Sequence, residues 1–371
     1  MTYLLELGRI QELSLLEISR LFSQFSPDKM LGDFAMVEET SPEVFIATIN
    51  KSGGVKRALK KLAEVEQSEV LNWIVEYLKT QPRPTFTLNF HDEKNEVFIS
   101  PTEVKKELKS AGVSSRFIEH SSTALFLHHP DTIDLIGIIH DDKVIIAQTI
   151  WVQNIDDWTL RDRVKPYRDR KKGMLPPKLA RVMINAISSE IQNQKSKQLY
   201  DPFCGTGTVL MEGSLLNWKV SGSDLSAEAV HGTATNMHWF STKYAQPEPE
   251  RLFISDATQT RIDQLPGKID AIVTEPFLGK PQPKSHELPN IFKGLEKLYL
   301  GTFKQWTKIL QPGGEVVIIF PVVETPTKTF SLEKLIDNLK SLGYNLVSGP
   351  IIYRREQTIV QRAIYVFKFE H

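Results

Sequence analysis

The chain reads as an α/β protein: a doubly wound, largely parallel sheet in its C-terminal half, preceded by two smaller α+β units. Three observations predict this. From about Met174 onward, helix-period and strand patterns alternate. A turn bracketed by Gly205 and Gly207 joins a short apolar strand to a helical pattern. The chain then closes on two successive strand patterns, Val347 to Arg354 and Thr358 to Phe367, which predict an antiparallel pair at the sheet edge.

A length of 371 residues predicts two or three domains. Hydrophobic content of 41% with 24% charged residues is that of an ordinary globular protein. No run of eighteen apolar residues occurs, so no membrane span is predicted. The opening Met-Thr-Tyr-Leu-Leu-Glu-Leu-Gly-Arg lacks a basic leader and carries Glu6 early, so a cytoplasmic location is expected. One cysteine excludes an internal disulfide and a multi-cysteine zinc site. The nine histidines show no metal-ligand spacing, and no metal is expected.

In chain order, Tyr3 to Gly8 alternates as a strand, and Leu13 to Phe22 repeats apolar residues at three and four as a helix. Strands are expected near Ala35 to Glu38 and Val44 to Ile49, and helices near Val55 to Glu64 and Ser68 to Leu78. Together these make a first unit over 1–80. Gln81-Pro-Arg-Pro84 breaks both periods and reads as a linker. The second unit, 85–160, has a strand at Phe86 to Phe90 and a helix at Thr102 to Ser110. Further strands are expected near Ala124 to Leu127, Thr132 to Ile139 and Val144 to Trp151. A basic linker over 161–176 leads to a third domain, 177–371.

In that domain, a helix from Pro177 to Gln192 precedes the strand Leu199-Tyr200. Helix Ala227 to Phe240, a strand ending near Asp256 and strand Ala271 to Thr274 follow. Helix Ile291 to Leu310 and the Pro312-Gly-Gly turn lead into strand Glu315 to Phe320, then helix Leu332 to Leu342 and the closing pair.

The richest motif is Asp201-Pro-Phe-Cys-Gly-Thr-Gly-Thr208, followed by Glu212. Glycine permits positive φ and close approach of a ligand to the backbone, and the N–H groups of the next helix start face that ligand. Asp224 follows where a Rossmann-like βαβ unit holds ribose hydroxyls. Read singly, the glycines make an ordinary strand-to-helix turn, Glu212 is a solvated helix residue, and Asp224 caps the next helix. Read jointly, they point to a nucleoside-containing cofactor. Leu210 stands where a dinucleotide motif needs its third glycine, which argues against a pyrophosphate. Cys204 inside the loop reads as small, buried and unreactive.

Net charge is zero, yet nine basic residues lie between Arg161 and Arg181 against only Asp162 and Asp169. Smaller clusters are Lys56-Arg57 with Lys60-Lys61, and Lys105-Lys106 with Lys109 and Arg116. Each alone reads as a solvated face; beside a nucleoside-cofactor motif they suggest phosphate contacts.

The loop motif resembles the cofactor loop of S-adenosylmethionine-dependent RNA methyltransferases carrying a THUMP domain. Tyr3 to Glu17 and Arg168 to Asn185 are similar to matching stretches of tRNA guanosine-N2 methyltransferases acting at position 10. Residues 85 to about 155 resemble a THUMP domain more loosely, and Tyr353-Arg-Arg-Glu-Gln357 with Arg362 resembles the family's closing hairpin. The resemblance implies a class I, Rossmann-like methyltransferase domain with a seven-stranded sheet, after ferredoxin-like and THUMP-like RNA-binding domains. It implies S-adenosylmethionine as cofactor, bound by Asp201, Pro202, Cys204, Gly205, Gly207, Thr208, Asp224, Asp256 and Ala257. It implies tRNA as partner, held by Arg168, Arg170, Lys171, Lys172 and Arg181, the protein acting as a monomer or with a small activator protein.

Amino-methyltransferases of this kind place an acidic or amide residue, prolines and an aromatic after the fourth strand. Here the segment is Thr274-Glu275-Pro276-Phe277, matching a bacterial form, with Thr274 where the common Asp-Pro-Pro-Tyr motif has its aspartate. An exocyclic nucleobase amine is a poor nucleophile because its lone pair feeds the ring. An acceptor such as Glu275 on its N–H groups, with Phe277 fixing the ring, suits in-line transfer. The expected reaction is methylation of guanine N2 in tRNA, one or two methyl groups. Three other readings stay open: amino-methylation of DNA adenine or cytosine, methylation of protein glutamine, and a non-catalytic tRNA-binding protein.

Overall fold

The computed structural model describes residues 1–91, 99–119, 122–169, 173–355 and 358–370. Two compact units emerge, Met1–Asp157 and Trp158–His371. Among the described residues no helix is long and apolar enough to cross a membrane.

The first unit runs β1 (Thr2–Leu7), α1 (Gln11–Leu21), β2 (Met30–Leu31), β3 (Phe34–Glu38), α2 (Pro42–Ile49), β4 (Val55–Glu66), α3 (Val70–Lys79), β5 (Thr85–His91), α4 (Pro101–Ser110), β6 (Arg116–Phe117), α5 (Thr123–His128), β7 (Ile133–His140) and β8 (Lys143–Val152). One sheet, in the order β2-β3-β1-β4-β8-β7-β5-β6, passes through both the 1–80 and the 85–160 segments. Its middle is β4, paired antiparallel with β1 on one side and β8 on the other.

Three local expectations fail here. Val55 to Glu64 is a strand, because two flanking partners outweigh a lysine-rich, helix-like composition. Val44 to Ile49 is helical: Ser41 caps α2 by accepting from the Val44 N–H at 3.2 Å, Pro42 opens its first turn, and Phe45 and Ile49 share its buried face. Ala124 to Leu127 is also helical, started by Ser122 accepting from the Leu125 N–H at 3.1 Å.

α6 (Ile155–Thr159) and a π-helical turn over Leu160–Val164 lead into the second unit. There follow α7 (Pro177–Asn185), α8 (Ser189–Gln192), β9 (Gln198–Asp201), α9 (Thr208–Leu215), β10 (Lys219–Asp224), α10 (Ala227–Tyr244), β11 (Arg251–Ile254), β12 (Ile269–Thr274), α11 (Leu288–Trp306), β13 (Leu310–Glu324), β14 (Thr329–Phe330), α12 (Glu333–Lys340), β15 (Tyr344–Tyr353) and β16 (Gln361–Phe369). The helix expected from Pro177 to Gln192 is broken into α7 and α8, where Glu315 takes the Ser188 N–H at 2.9 Å.

The sheet order is β11-β10-β9-β12-β13-β16-β15, with β14 added against β13. The first five strands are parallel, and β16 and β15 form the antiparallel edge. The chain winds outward from β9 to β11, then returns to β12 on the other side of β9. The order therefore reverses between β9 and β12, and the crevice beyond their carboxyl ends is where such sheets bind ligands. An aromatic core of Tyr299, Phe303, Trp306, Phe320, Tyr344 and Phe367 holds α11 to the β13–β16 side.

Candidate active site

Four parallel strands end side by side and deliver the candidate residues to one edge. β9 ends at Asp201, β10 at Asp224, β11 just before Asp256, and β12 at Thr274. Gly205 and Gly207 follow β9 with φ of +51° and +78°. A side chain at Gly207 would also meet Thr233 Cγ2 at 2.9 Å, so only glycine fits there. Gly207 is the N-cap of α9, whose first turn has neither a side-chain cap nor an acidic residue. Its N–H groups are free of competing local acceptors, as an anion-binding helix start requires.

Asp224 ties β10 to this loop. Its Oδ2 accepts from the Gly205 N–H at 3.1 Å and its Oδ1 from the Ser226 N–H at 2.9 Å. Each oxygen keeps a lone pair for a further donor. The bland reading of Asp224 as a helix cap is displaced, since Ser226 caps α10 through the Ala229 N–H. Asp256 accepts from the Thr258 N–H and hydroxyl, both at 2.8 Å, and Ala257 beside it is buried. Pro202 and Thr208 are buried in the loop's underside, and burial pushes the Cys204 thiol well up, which makes it inert.

Across the switch point, Thr274 donates its hydroxyl to Asp201 Oδ1 at 2.6 Å, and the Phe203 N–H donates to the same oxygen at 3.1 Å. Asp201 is 2% exposed and Thr274 fully buried. Burial pushes the Asp201 carboxyl up to about 7, against the two hydrogen bonds. Next to Thr274, the Glu275 carboxylate pairs with the Arg362 guanidinium on β16. Pro276 is buried, while the Phe277 ring is 63% exposed. Tyr299, on α11, fixes the loop by donating to the Phe277 carbonyl at 2.7 Å.

The expected basic segment divides. Arg161 and Arg181 are buried and close on the two oxygens of Glu212, with Nε donors at 2.7 and 2.9 Å. Trp158 lies over both guanidiniums, with its ring centre 4.3 Å from Arg161 and 5.4 Å from Arg181. Arg181 is thus corrected from a phosphate contact to a partner of Glu212, whose charge would otherwise be buried alone. Lys165, 1% exposed, reaches under the loop to Thr206 Oγ1 at 3.1 Å and Thr208 Oγ1 at 2.9 Å. Burial pushes its amine down to about 8. Arg168 is exposed; Arg170, Lys171 and Lys172 lie outside the described residues, as does Gln357.

The sequence does not single out Lys165 or Arg362 as site residues, and it leaves Asn236, on a helix, as readily structural as functional. Asn236 donates to the carbonyls of Thr206 and Tyr167 at 2.8 and 2.9 Å and accepts from the Tyr167 N–H at 2.8 Å. It clamps the segment before the domain to the glycine loop. A signal existed in Gly232, one turn earlier in α10: the Tyr167 ring fills the space its Cβ would need.

Comparison with known proteins bears on the fold and the family. Residues 165–342 match the RMKL-like methyltransferase domain family. The TrmN structure from Thermus thermophilus superposes over 100% of both chains with a TM-score of 0.55 at 14% identity, a likeness of fold. Strand order, switch-point crevice and matched domain define a class I methyltransferase fold. A tRNA (guanine(10)-N2)-dimethyltransferase from Methanothermobacter thermautotrophicus is 32% identical over 46% of this chain and 44% of its own length. A probable tRNA (guanine(10)-N2)-dimethyltransferase from Methanothermococcus thermolithotrophicus is 31% identical over 32% of this chain and 70% of its own. The chain belongs to this family of methyltransferases. It spans less than half the length of the Methanothermobacter relative in the matched region.

Two outcomes test the site's electrostatics. Asp201 is easier to protonate in the folded chain than in the unfolded one. The stability it supports is therefore complete below about pH 4 and lost as pH rises through about 7. Asp201→Asn keeps the Oδ1 acceptor but stays neutral, so its urea midpoint should lose one proton's worth of slope between those pH values. Parallel midpoint profiles for the two proteins would show that the carboxyl is not perturbed. Arg161→Met should lower unfolding stability by about 3 kcal/mol, while Arg168→Glu leaves it unchanged. Equal melting behaviour of both variants would return Arg161 to the surface.

Proposed function

We propose that the chain transfers a methyl group from S-adenosylmethionine to the exocyclic N2 amine of a guanosine in tRNA, position 10 being the family's site. The observation that carries this reading is the Thr274–Asp201 bond, which fastens a glycine-rich nucleoside loop to a Glu-Pro-Phe loop across one crevice.

The residues fit the cofactor. Gly205 leaves room for it against the backbone, since an added Cβ there would meet only the Phe203 carbonyl at 3.8 Å; the start of α9 offers N–H groups, and Asp224 has lone pairs for a ribose diol. Asp256 and Ala257 lie where an adenine edge would be read, with Asp201, Pro202, Cys204, Gly205 and Thr208 shaping the loop. When bound, the cofactor supplies a methyl group on a positively charged sulfur. Phe277, exposed at the loop's tip, stacks the guanine. Glu275, oriented by Arg362, accepts from the amine N–H groups and localises the nitrogen lone pair. The nitrogen gains the methyl and afterwards loses a proton, so no base has to act before transfer.

The substrate reading rests on the family and on charge that stays exposed. Lys105, Lys106, Lys109 and Arg116 are exposed in the first unit, the expected ferredoxin-like and THUMP-like region. Arg168 is exposed in the second. By contrast, Lys56 and Arg57 pair with Glu6, and Arg57 also reaches Asp134 at 3.2 Å, so that cluster is largely neutralised.

The direct experiment offers labelled S-adenosylmethionine with separate tRNA, DNA and protein pools, followed by nucleoside mass spectrometry. N2-methylguanosine from tRNA is expected. Label confined to DNA adenine or cytosine, or to protein glutamine, would assign another substrate, and tRNA binding without label would make the chain a binding protein. Glu275→Gln should slow single-turnover transfer by about 2–4 kcal/mol, with cofactor affinity unchanged. A wild-type rate in that variant would leave Glu275 as a brace on Arg362 alone. Asp224→Ala should weaken cofactor binding by roughly 1.5–3 kcal/mol; unchanged calorimetric affinity in the folded variant would refute its ribose role.

A further inference from the structure

Beside the Phe277 loop lies an open groove of about 580 Å³, lined by Phe277, Gly279 and Lys280 on one side and by Ile291, Gly294 and Leu298 of α11 on the other. Its lining is mainly apolar, and Asn290 and Glu287 add polar groups.

Gly294 is the informative residue. It sits in the interior of a 19-residue helix, where glycine is less favourable than almost any other residue. Most interior glycines of this unit have a packing reason: Gly232 makes room for Tyr167, and a side chain at Gly301 would crowd Thr258 at 3.3 Å. At Gly294 an added Cβ would meet nothing within 4 Å. Among the described residues no neighbour calls for the missing side chain, and the space it clears belongs to the groove. Across that space stands Phe277, an aromatic ring 63% exposed and held by its fixed carbonyl.

Charge identifies the class of occupant. The segment that builds the groove carries exposed Lys280, Lys284, Lys293 and Lys297 against Glu287 and Glu296. Lys280 spans the rim to Glu287 at 3.0 Å, an exposed pair that a phosphate can replace. An apolar slot with an aromatic edge and a lysine-rich border is how proteins hold unstacked bases of a single strand without reading sequence.

We infer that this groove binds a nucleobase of single-stranded RNA next to the methylated guanosine, holding the strand open while the target base is out of its stack. This rests on the proposed RNA methylation and deepens it. Taking a base out of a helix costs a few kcal/mol, and a seat for the neighbouring base offsets part of that cost.

The test is Gly294→Leu, which fills the slot with a strong helix former at a position with no neighbour to displace. Its melting temperature should equal or exceed that of the parent. Affinity for a fluorescently labelled single-stranded RNA hexanucleotide should fall roughly ten-fold, KM for tRNA should rise similarly, and cofactor affinity should not move. A 2-aminopurine next to the target guanosine should change fluorescence on binding to the parent but not to the variant. Unchanged hexanucleotide affinity and KM in the folded variant would overturn the inference while leaving tRNA methylation standing. Loss of hexanucleotide binding in the variant, with no methylation of any tRNA by the parent, would uphold the groove and refute the methylation reading instead.

Discussion

The Thr274 hydroxyl bonded to Asp201 is the contact on which the second unit's site depends. β9 and β12 are the strands between which the chain reverses its winding, so their ends belong to different halves of the sheet. The two strands pair in parallel through Ala271 with Leu199 and Ile272 with Tyr200, and the Thr274–Asp201 bond carries that pairing on to the start of the glycine loop and the Glu-Pro-Phe loop. Both partners are buried, so removing either leaves the other's polar group without ready replacement by water. Thr274 also accounts for a departure from the Asp-Pro-Pro-Tyr pattern. An aspartate in that place would face a second buried carboxyl and would have to turn away or carry a proton.

Behind the loop, charge is spent on shape. Glu212 is completely buried and matched by two guanidiniums that also face Trp158. Lys165 is buried against two threonine hydroxyls of the loop itself. Both contacts tie the segment 158–167 to α7, α9 and the loop, and Asn236 adds a third. A substitution that breaks a buried ion is costly because the remaining partner is stranded, so this segment belongs to the methyltransferase unit rather than to a solvated connection. The loop geometry is thereby set from beneath, leaving the outer side of the glycine turn for a ligand.

The sequence made the parallel-sheet half legible because its signals are local and mutually consistent: glycine turns, strand runs of apolar residues, and carboxylates at strand ends. The positions of Asp201, Asp224, Asp256 and Thr274 to Phe277 along one edge follow from strand order. What remained hidden depends on partners far away in sequence. Val55 to Glu66 looks helical until β1 and β8 are placed beside it. The run from Arg161 to Arg181 looks like a phosphate-binding surface until Glu212 is found between two of its arginines. Glu275 looks like a free acceptor until Arg362, from the last strand, arrives next to it. Charge counts along a chain cannot separate a solvated lysine from one seated under a loop.

If the Thr274–Asp201 bond makes the two loops act as one device, the effects of removing its two partners are coupled. A double-mutant cycle with Thr274→Val and Asp201→Ala, each of which removes one partner of the bond, read as the single-turnover rate of methyl transfer to tRNA, measures that coupling. Residues in contact show interaction energies of about 0.5–3 kcal/mol, whereas independent sites add. Each change should slow transfer, and the double variant should be little slower than the worse single one. Strictly additive effects, or a Thr274→Val rate equal to the parent's, would contradict the coupling.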